Sequence, residues 1–179
     1  MKKYNREDKN SMIDYRLNHI RMVQDNMFLL EKNLDKLPFK LNDFEIARRA
    51  MQHDVDKFSD DLAEGFIEIE KNYKNRKTNP ELYQENEKKL RPIRVKHWEN
   101  NPHHAIYHLK NNTTFSNLDV CELCCDLDAV SQIMDDDPKE YYLNKQFKEH
   151  PELYKDQNEN ILKVFDLLKE LKKKLRNNS

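Results

Sequence analysis

A single glycine is the strongest constraint on what this chain can fold into: of 179 residues, only Gly65 is a glycine. Strand-rich folds use glycine for tight hairpin turns, bulges and positive-φ corners, and this chain cannot build many of them. Helices have no such requirement, so an all-α fold is expected. Composition agrees, with 36% charged and 37% hydrophobic residues, a balance that suits amphipathic helices sharing a core. The length fits one domain rather than two, and residues 1–179 are read as one.

Lys plus Arg number 32 and Asp plus Glu 33, a formal net charge of −1. No global positive field draws in a polyanion, so long nucleic acid is not an expected partner. No stretch approaches the roughly 20 consecutive apolar residues that span a bilayer. The N-terminus, Met1-Lys2-Lys3-Tyr4-Asn5, runs on into polar residues rather than an apolar leader. No membrane association is expected, and a cytoplasmic location is. Cys121, Cys124 and Cys125 share one short segment. A structural zinc site usually needs a second ligand pair, so a buried apolar role is expected for them.

Ile13, Leu17, Ile20, Met27, Leu30 and Leu34 recur at three- and four-residue spacing. They predict a first helix that carries His19 beside its apolar seam and stops at Pro38. Asn42-Asp43-Phe44-Glu45 is a capping pattern opening a second helix through Ala47, Ala50 and Met51 to His53 and Lys57, with His53 and Asp54 in its last turns. Ser59 is placed to cap a third helix with Leu62, Phe66 and Ile69, and the polar stretch 71–78 reads as a connection. Asn79-Pro80 starts a fourth helix, which Pro92 should kink or interrupt before Val95, His97 and Trp98. Asn100-Asn101-Pro102 repeats the cap-and-proline device, predicting His103 and His104 in the first turn of a new helix.

Ser116 or Asn117 then opens a helix with Leu118, Cys121, Cys125 and Val130 inward and Glu122 and Asp126 sharing one face. A further helix runs from Pro138 to about His150, and the last carries Ile161, Val164, Leu168, Leu171 and Leu175 on one stripe. The first and last helices suit packing within the chain or across a homodimer.

Six of the seven histidines fall between His19 and His108. Taken singly each has a plain reading, His19 as a histidine at the edge of the core and Lys57 as a solvated lysine. Taken together they supply what a catalytic metal site needs, imidazole and carboxylate donors from separate helices. His19, His53, Asp54 and Asp126 make one candidate site. His97 with His103 or His104 makes a second, with Asp54 bridging the two. Lys57 lies one turn from His53, where it can steady a phosphate. Glu122 either orients a ligand histidine or serves as an acid/base group, and Asp119 has the same two readings. Trp98 stacks on a base or packs in the core. His108 contacts substrate or decorates its helix, and His150 lies at the surface.

The order His19, His53-Asp54 with Lys57, His97, His103-His104, Asp126 resembles the H…HD…H…HH…D arrangement of HD-domain metal-dependent phosphohydrolases. Asn100-Asn101-Pro102-His103-His104 and Glu122-Leu123-Cys124-Cys125-Asp126 are similar to segments of small HD-like phage and bacterial proteins. The resemblance covers roughly residues 12–134, followed by C-terminal helices over 138–176. It implies an HD-like helical bundle holding one or two divalent ions, Mn, Fe, Ni, Zn or Mg. The implied reaction is hydrolysis of a small nucleotide or phosphate ester by a metal-activated water; with the residue reading above, Asp54, Lys57 and Glu122 are the candidate catalytic groups. Ala105-Ile106-Tyr107-His108, after the histidine pair, lacks the Gly-Tyr-Pro element of cyclic-dinucleotide hydrolases. Some HD-like proteins are instead di-iron oxygenases, and that chemistry is the first alternative. A non-catalytic helical protein that binds a partner is the second.

Overall fold

The computed structural model describes residues 6–177, and among them every regular element is helical. In order these are α1 (Arg6–Glu31), α2 (Asp43–Gln52), α3 (Ala63–Tyr73), α4 (Asn75–Thr78), α5 (Pro80–Trp98), α6 (Ala105–Asn111), α7 (Asn117–Met134), α8 (Pro138–Tyr141), α9 (Pro151–Tyr154) and α10 (Asn158–Asn177). Short 3-10 turns at Leu34–Lys36 and Val55–Phe58 follow α1 and α2, and a π turn, Tyr142–Phe147, continues α8. No described helix is long and apolar enough to cross a membrane.

The fold is organised on α7, which packs against α1, α2, α8 and α10. Ser116 caps its start in a reciprocal box with Asp119, which satisfies two otherwise orphaned N–H groups. Val120, Cys121, Leu123 and Cys124 join Val23, Met27 and Leu30 of α1 and Ile161, Val164, Leu168 and Leu171 of α10 in the main core. Each such aliphatic side chain stabilises the fold by about 1.5–3 kcal/mol when fully buried. The apolar faces of α1 and α10 are thus covered within the chain. Ile13 and Leu175, expected on those stripes, lie beyond the core at 38% and 55% exposure.

A smaller core joins α3 to α5 through Leu62, Phe66 and Ile69 with Leu90 and Ile93. The lone glycine belongs here. A Cβ on Gly65 would fall 2.7 Å from Ile93 Cγ2, so Gly65 serves the close crossing of two helices and not a turn.

Six expectations need correction. The first helix ends at Glu31, short of Pro38, and Leu34–Lys36 forms a separate 3-10 turn. The second helix ends at Gln52, so His53 is its C-cap and Asp54 lies outside it with φ 58. Aspartate tolerates that left-handed conformation better than most residues, and it breaks the helix and turns the carboxylate inward. The third helix starts at Ala63, because Ser59 holds the preceding turn through its carbonyl, accepting from the Leu62 and Ala63 N–H groups. Residues 75–78 are helical. Pro92 does not interrupt α5: it is exposed, where water can satisfy the carbonyl its ring leaves unpaired. Finally, α6 begins at Ala105, with His104 as an extended N-cap. Pro102 and His103 are spent in a turn closed by the His104 N–H on the Asn101 carbonyl at 3.0 Å.

Candidate metal centre

Asp54 is fully buried between two sets of donors. Its Oδ2 lies 3.3 Å from His19 Nε2 and 3.4 Å from His53 Nε2. His19 Nε2 is also 3.4 Å from His53 Nε2 and 3.1 Å from Asp126 Oδ1. The other oxygen, Oδ1, lies 3.3 Å from His97 Nε2 and 3.9 Å from His103 Nε2, and His97 Nε2 is 3.1 Å from His104 Nε2. Donors around one ion with bonds of about 2.1 Å sit about 3 to 3.5 Å apart at adjacent positions. Most of these separations fall in that range. His19, His53, Asp54 and Asp126 form one set of mutually close donors, and His97, His103 and His104 a second.

Two observations test the fit of a cation. Asp54 Oδ1 and His103 Nε2 are buried with no hydrogen-bond partner, and such atoms cost about 1–3 kcal/mol each in an interior. A cation between them removes that cost. Ring orientation is the second. His53 Nδ1 lies 2.9 Å from Glu122 Oε1, and His97 Nδ1 lies 2.9 Å from Asp56 Oδ2. A neutral imidazole donating from Nδ1 to a carboxylate presents an Nε2 lone pair to the centre, the tautomer a metal ligand requires. His103 Nδ1 lies 3.2 Å from the same Glu122 oxygen but makes no hydrogen bond to it, so this ring is not fixed in the way those of His53 and His97 are. The donors therefore fit divalent ions, and their nitrogen-rich character suits Zn, Fe or Ni better than Mg.

Glu122 is one of these supports expected from the sequence, whereas Asp56 and Arg49 are the ones that sequence reading missed. Asp56 is held by the Asn101 amide, which donates to its Oδ2 at 2.9 Å. Arg49 donates to Asp119 Oδ1 at 2.9 Å and to Glu122 Oε2 at 2.6 Å. The spacing held a signal for both, because Asp56 stands two residues after Asp54 and Arg49 one helical turn before His53. Glu122 is buried with both oxygens engaged, and it is not among the residues lining the neighbouring cavity. The geometry gives it the orienting role rather than an acid/base one.

The electrostatics follow from packing carboxylates among imidazoles. Burial raises the Asp54 carboxyl, but His53, Lys57 and His97 outweigh it and hold that pKa well below the usual range. Burial disfavours charge on His103, yet Glu122 and the other carboxylates push its pKa up to about 9. His19 is likewise raised, burial being outweighed by Asp126 and Asp54. His104 goes the other way, held well below 6.5 by burial and by the charge of His103 and His97. The carboxylates that favour protons on His19 and His103 equally favour a divalent cation, which competes for the same nitrogens.

A cavity of about 390 Å³ opens over the centre, and His19, His97, His104 and Asp126 of both donor sets reach it. Lys57 lines it too, with its ammonium on Asp54 Oδ2 and 5.0 Å from the Phe66 ring centroid. Burial lowers and Asp54 raises the Lys57 pKa, with a net upward shift that keeps it charged. Trp98 lines the cavity, its ring 6.0 Å from that of His104, rather than packing in the core.

His108 faces away from the centre. Its Nε2 lies 2.7 Å from the Pro102 carbonyl oxygen and its Nδ1 2.9 Å from Thr113 Oγ1, so it braces the turn that carries His103. His150 is partly buried at the start of α9, beside Glu152. The cysteines are buried in the core as expected, and burial pushes the Cys121 thiol up to about 12.

No curated protein and no solved structure matches the chain. One family model does, over residues 8–176, nearly the whole of the described structure. The chain belongs to that family, DUF5662, a family of unknown function.

Proposed function

We propose that this chain is a divalent-metal-dependent phosphohydrolase of the HD type, acting on a small nucleotide or other phosphate ester. The observation that carries the reading is the Asp54 carboxylate, with one oxygen toward each donor set, Lys57 bound to it, and a cavity above. When bound, divalent ions supply a water acidic enough to ionise near neutral pH and neutralise charge on phosphoryl oxygens. His19, His97, His104 and Asp126 hold the cavity side of the centre, and His53 and His103 its buried side. Glu122 and Asp56 fix the rings of His53 and His97. Lys57 keeps a fixed positive charge where a phosphate would enter, as a compact ammonium suited to a point-charge contact.

The same donors would serve a di-iron oxygenase. Lys57 favours the hydrolase, because a charged lysine on the cavity floor matches an anionic substrate. Both readings meet one experiment: metal content by mass spectrometry of tag-free protein and of Asp54→Asn, with phosphate release and oxygen consumption assayed in parallel. About one or two ions per chain, lost in the variant, with phosphate released from a panel of nucleotides and phosphomonoesters, is the expected result. Bound iron with oxygen consumption and no phosphate would favour the oxygenase. No metal after incubation with Mn, Fe, Ni, Zn or Mg would sink both and leave a non-catalytic helical module that binds a partner.

A further inference from the structure

The cavity extends past the metal donors, and its far wall has a different chemistry. Four of the eight tyrosines, Tyr15, Tyr73, Tyr83 and Tyr141, line it together with the only tryptophan. Tyr15 and Tyr83 belong to neither apolar core, so packing does not account for them. The Tyr15 and Tyr73 ring centroids are 5.9 Å apart, and the Arg94 guanidinium lies 5.6 Å from the Tyr73 centroid. Arg94 donates to Glu87 Oε1 at 3.0 Å, while its Nε is buried with no partner. Gln146 reaches the cavity from the π turn, steadied by the Tyr154 hydroxyl, which donates to its Oε1 at 3.3 Å. Wide turns of this kind are frequent at functional sites.

Charge decides what such a wall can hold. Every arginine lining the cavity is matched to a carboxylate: Arg16 to Glu70 at 2.8 Å, Arg94 to Glu87 at 3.0 Å and Arg76 to Asp136 at 2.9 Å. Lys57 is paired as well, to Asp54, but divalent ions at the centre would take up that carboxylate. These arginines would keep theirs, so the wall is a poor second anion site. It offers flat faces for stacking, together with amide, carboxylate and guanidinium groups for edge contacts, the combination that recognises a neutral heteroaromatic ring. The cavity volume, about 390 Å³, admits one small molecule and no polymer.

We propose that this wall is a base-recognition subsite, so that the substrate is a mononucleotide with its base among Tyr15, Tyr73 and Tyr83 and its phosphate at Lys57. The inference rests on the phosphohydrolase reading for the phosphate end only. Adenosine, guanosine, cytidine, uridine, ribose and inorganic phosphate are titrated separately into the protein as purified with its metal, with fluorescence of Trp98 as the readout. Nucleosides carry no scissile phosphate, so turnover does not interfere.

At least one nucleoside is expected to bind about tenfold or more tightly than ribose. Tyr83→Ala on α5 and Gln146→Ala in the π turn should each cut that nucleoside's affinity several-fold, with phosphate affinity and the helical circular dichroism unchanged. Nucleosides no tighter than ribose, with phosphate still bound, would overturn the subsite and leave the metal-centre reading standing. Nucleoside binding without phosphate binding would support the subsite and count against the hydrolase. Binding of neither overturns both, and full nucleoside affinity in both variants overturns the location on this wall.

Discussion

The two long faces of α7 are both buried and are built of opposite materials. On one, Val120, Cys121 and Cys124 sit in the main core with Met27, Ile161 and Leu168. On the other, Asp119, Glu122 and Asp126 follow each other at three- and four-residue spacing toward Arg49 and the histidines. The apolar face is complete as it stands, because dispersion and exclusion of water are non-directional and need only volume. The polar face is directional and incomplete, since Asp54 Oδ1 and His103 Nε2 lack partners and like groups crowd one another. Stability should therefore reside in the first region and ion binding in the second, and the two should be separable by mutation.

The largest expected effect is on the polar side. Asp54→Asn keeps a residue that tolerates φ 58 but removes the charge shared by both donor sets. Metal affinity should fall by about a thousandfold or more, roughly 4 kcal/mol at 1.4 kcal/mol per tenfold, read by competition with a chromophoric chelator. The metal-free variant should keep its helical circular dichroism. A metal-free variant that no longer folds would break the separation, because the polar region would then be carrying the fold.

The reciprocal change is Leu168→Ala, at a fully buried α10 position in the core. It should lower the free energy of unfolding by about 2–5 kcal/mol, measured by urea titration, with metal stoichiometry unchanged while the protein remains folded. Loss of metal in the folded variant would show that the two faces of α7 are mechanically coupled.

That separation also explains what could be read from the sequence. The apolar stripes of α1, α7 and α10 are periodic, and periodicity is a local property, so the all-α fold was legible from residues such as Met27, Cys121 and Leu168. The donor residues were legible as a set because their types and order carry the chemistry, and the structure brings all seven together. The break in the helix at Asp54 is not legible, because no periodic signal marks a left-handed residue. The roles of Arg49 and Asp56 are not local, because their partners, Glu122 and His97, lie 73 and 41 positions away. The aromatic wall draws on α1, α3, α5, α8 and the π turn after it, and only the tertiary fold assembles it.

A smaller effect sharpens the picture within the polar region. In Glu122→Gln the Arg49 guanidinium should draw the amide oxygen to itself and turn the NH2 group toward His53 Nδ1. That nitrogen must then accept, which moves the proton to Nε2 and removes the lone pair aimed at the centre. Loss of such a support typically lowers metal affinity about 10- to 100-fold, so the variant should bind more weakly than wild type and more tightly than Asp54→Asn. Equal affinity in wild type and Glu122→Gln would mean that Glu122 only helps hold α2 to α7.

The smallest expected effect lies where the two regions meet. His108 is buried under the His103 turn, its ring centroid 4.1 Å from that of Phe115 in the core. Its pKa is lowered from 6.5, chiefly by burial and also by the Arg49 charge, against opposing contributions from the Pro102 carbonyl and Asp119. The folded chain thus binds a proton at His108 less readily than the unfolded chain does. Its contribution to stability is fully present above about pH 6.5 and is lost as pH falls from there through the folded value. His108→Gln keeps a donor for the Pro102 carbonyl and cannot titrate. With chelator present, so that ions and protons do not compete at the other histidines, the stability difference between wild type and this variant should be flat from pH 8 to 7. It should then shift against wild type between about pH 6.5 and 5. Parallel curves over that interval would mean that His108 stays unprotonated in both states or protonates equally in each. The neutral ring braced between Pro102 and Thr113 would then contribute through its shape alone.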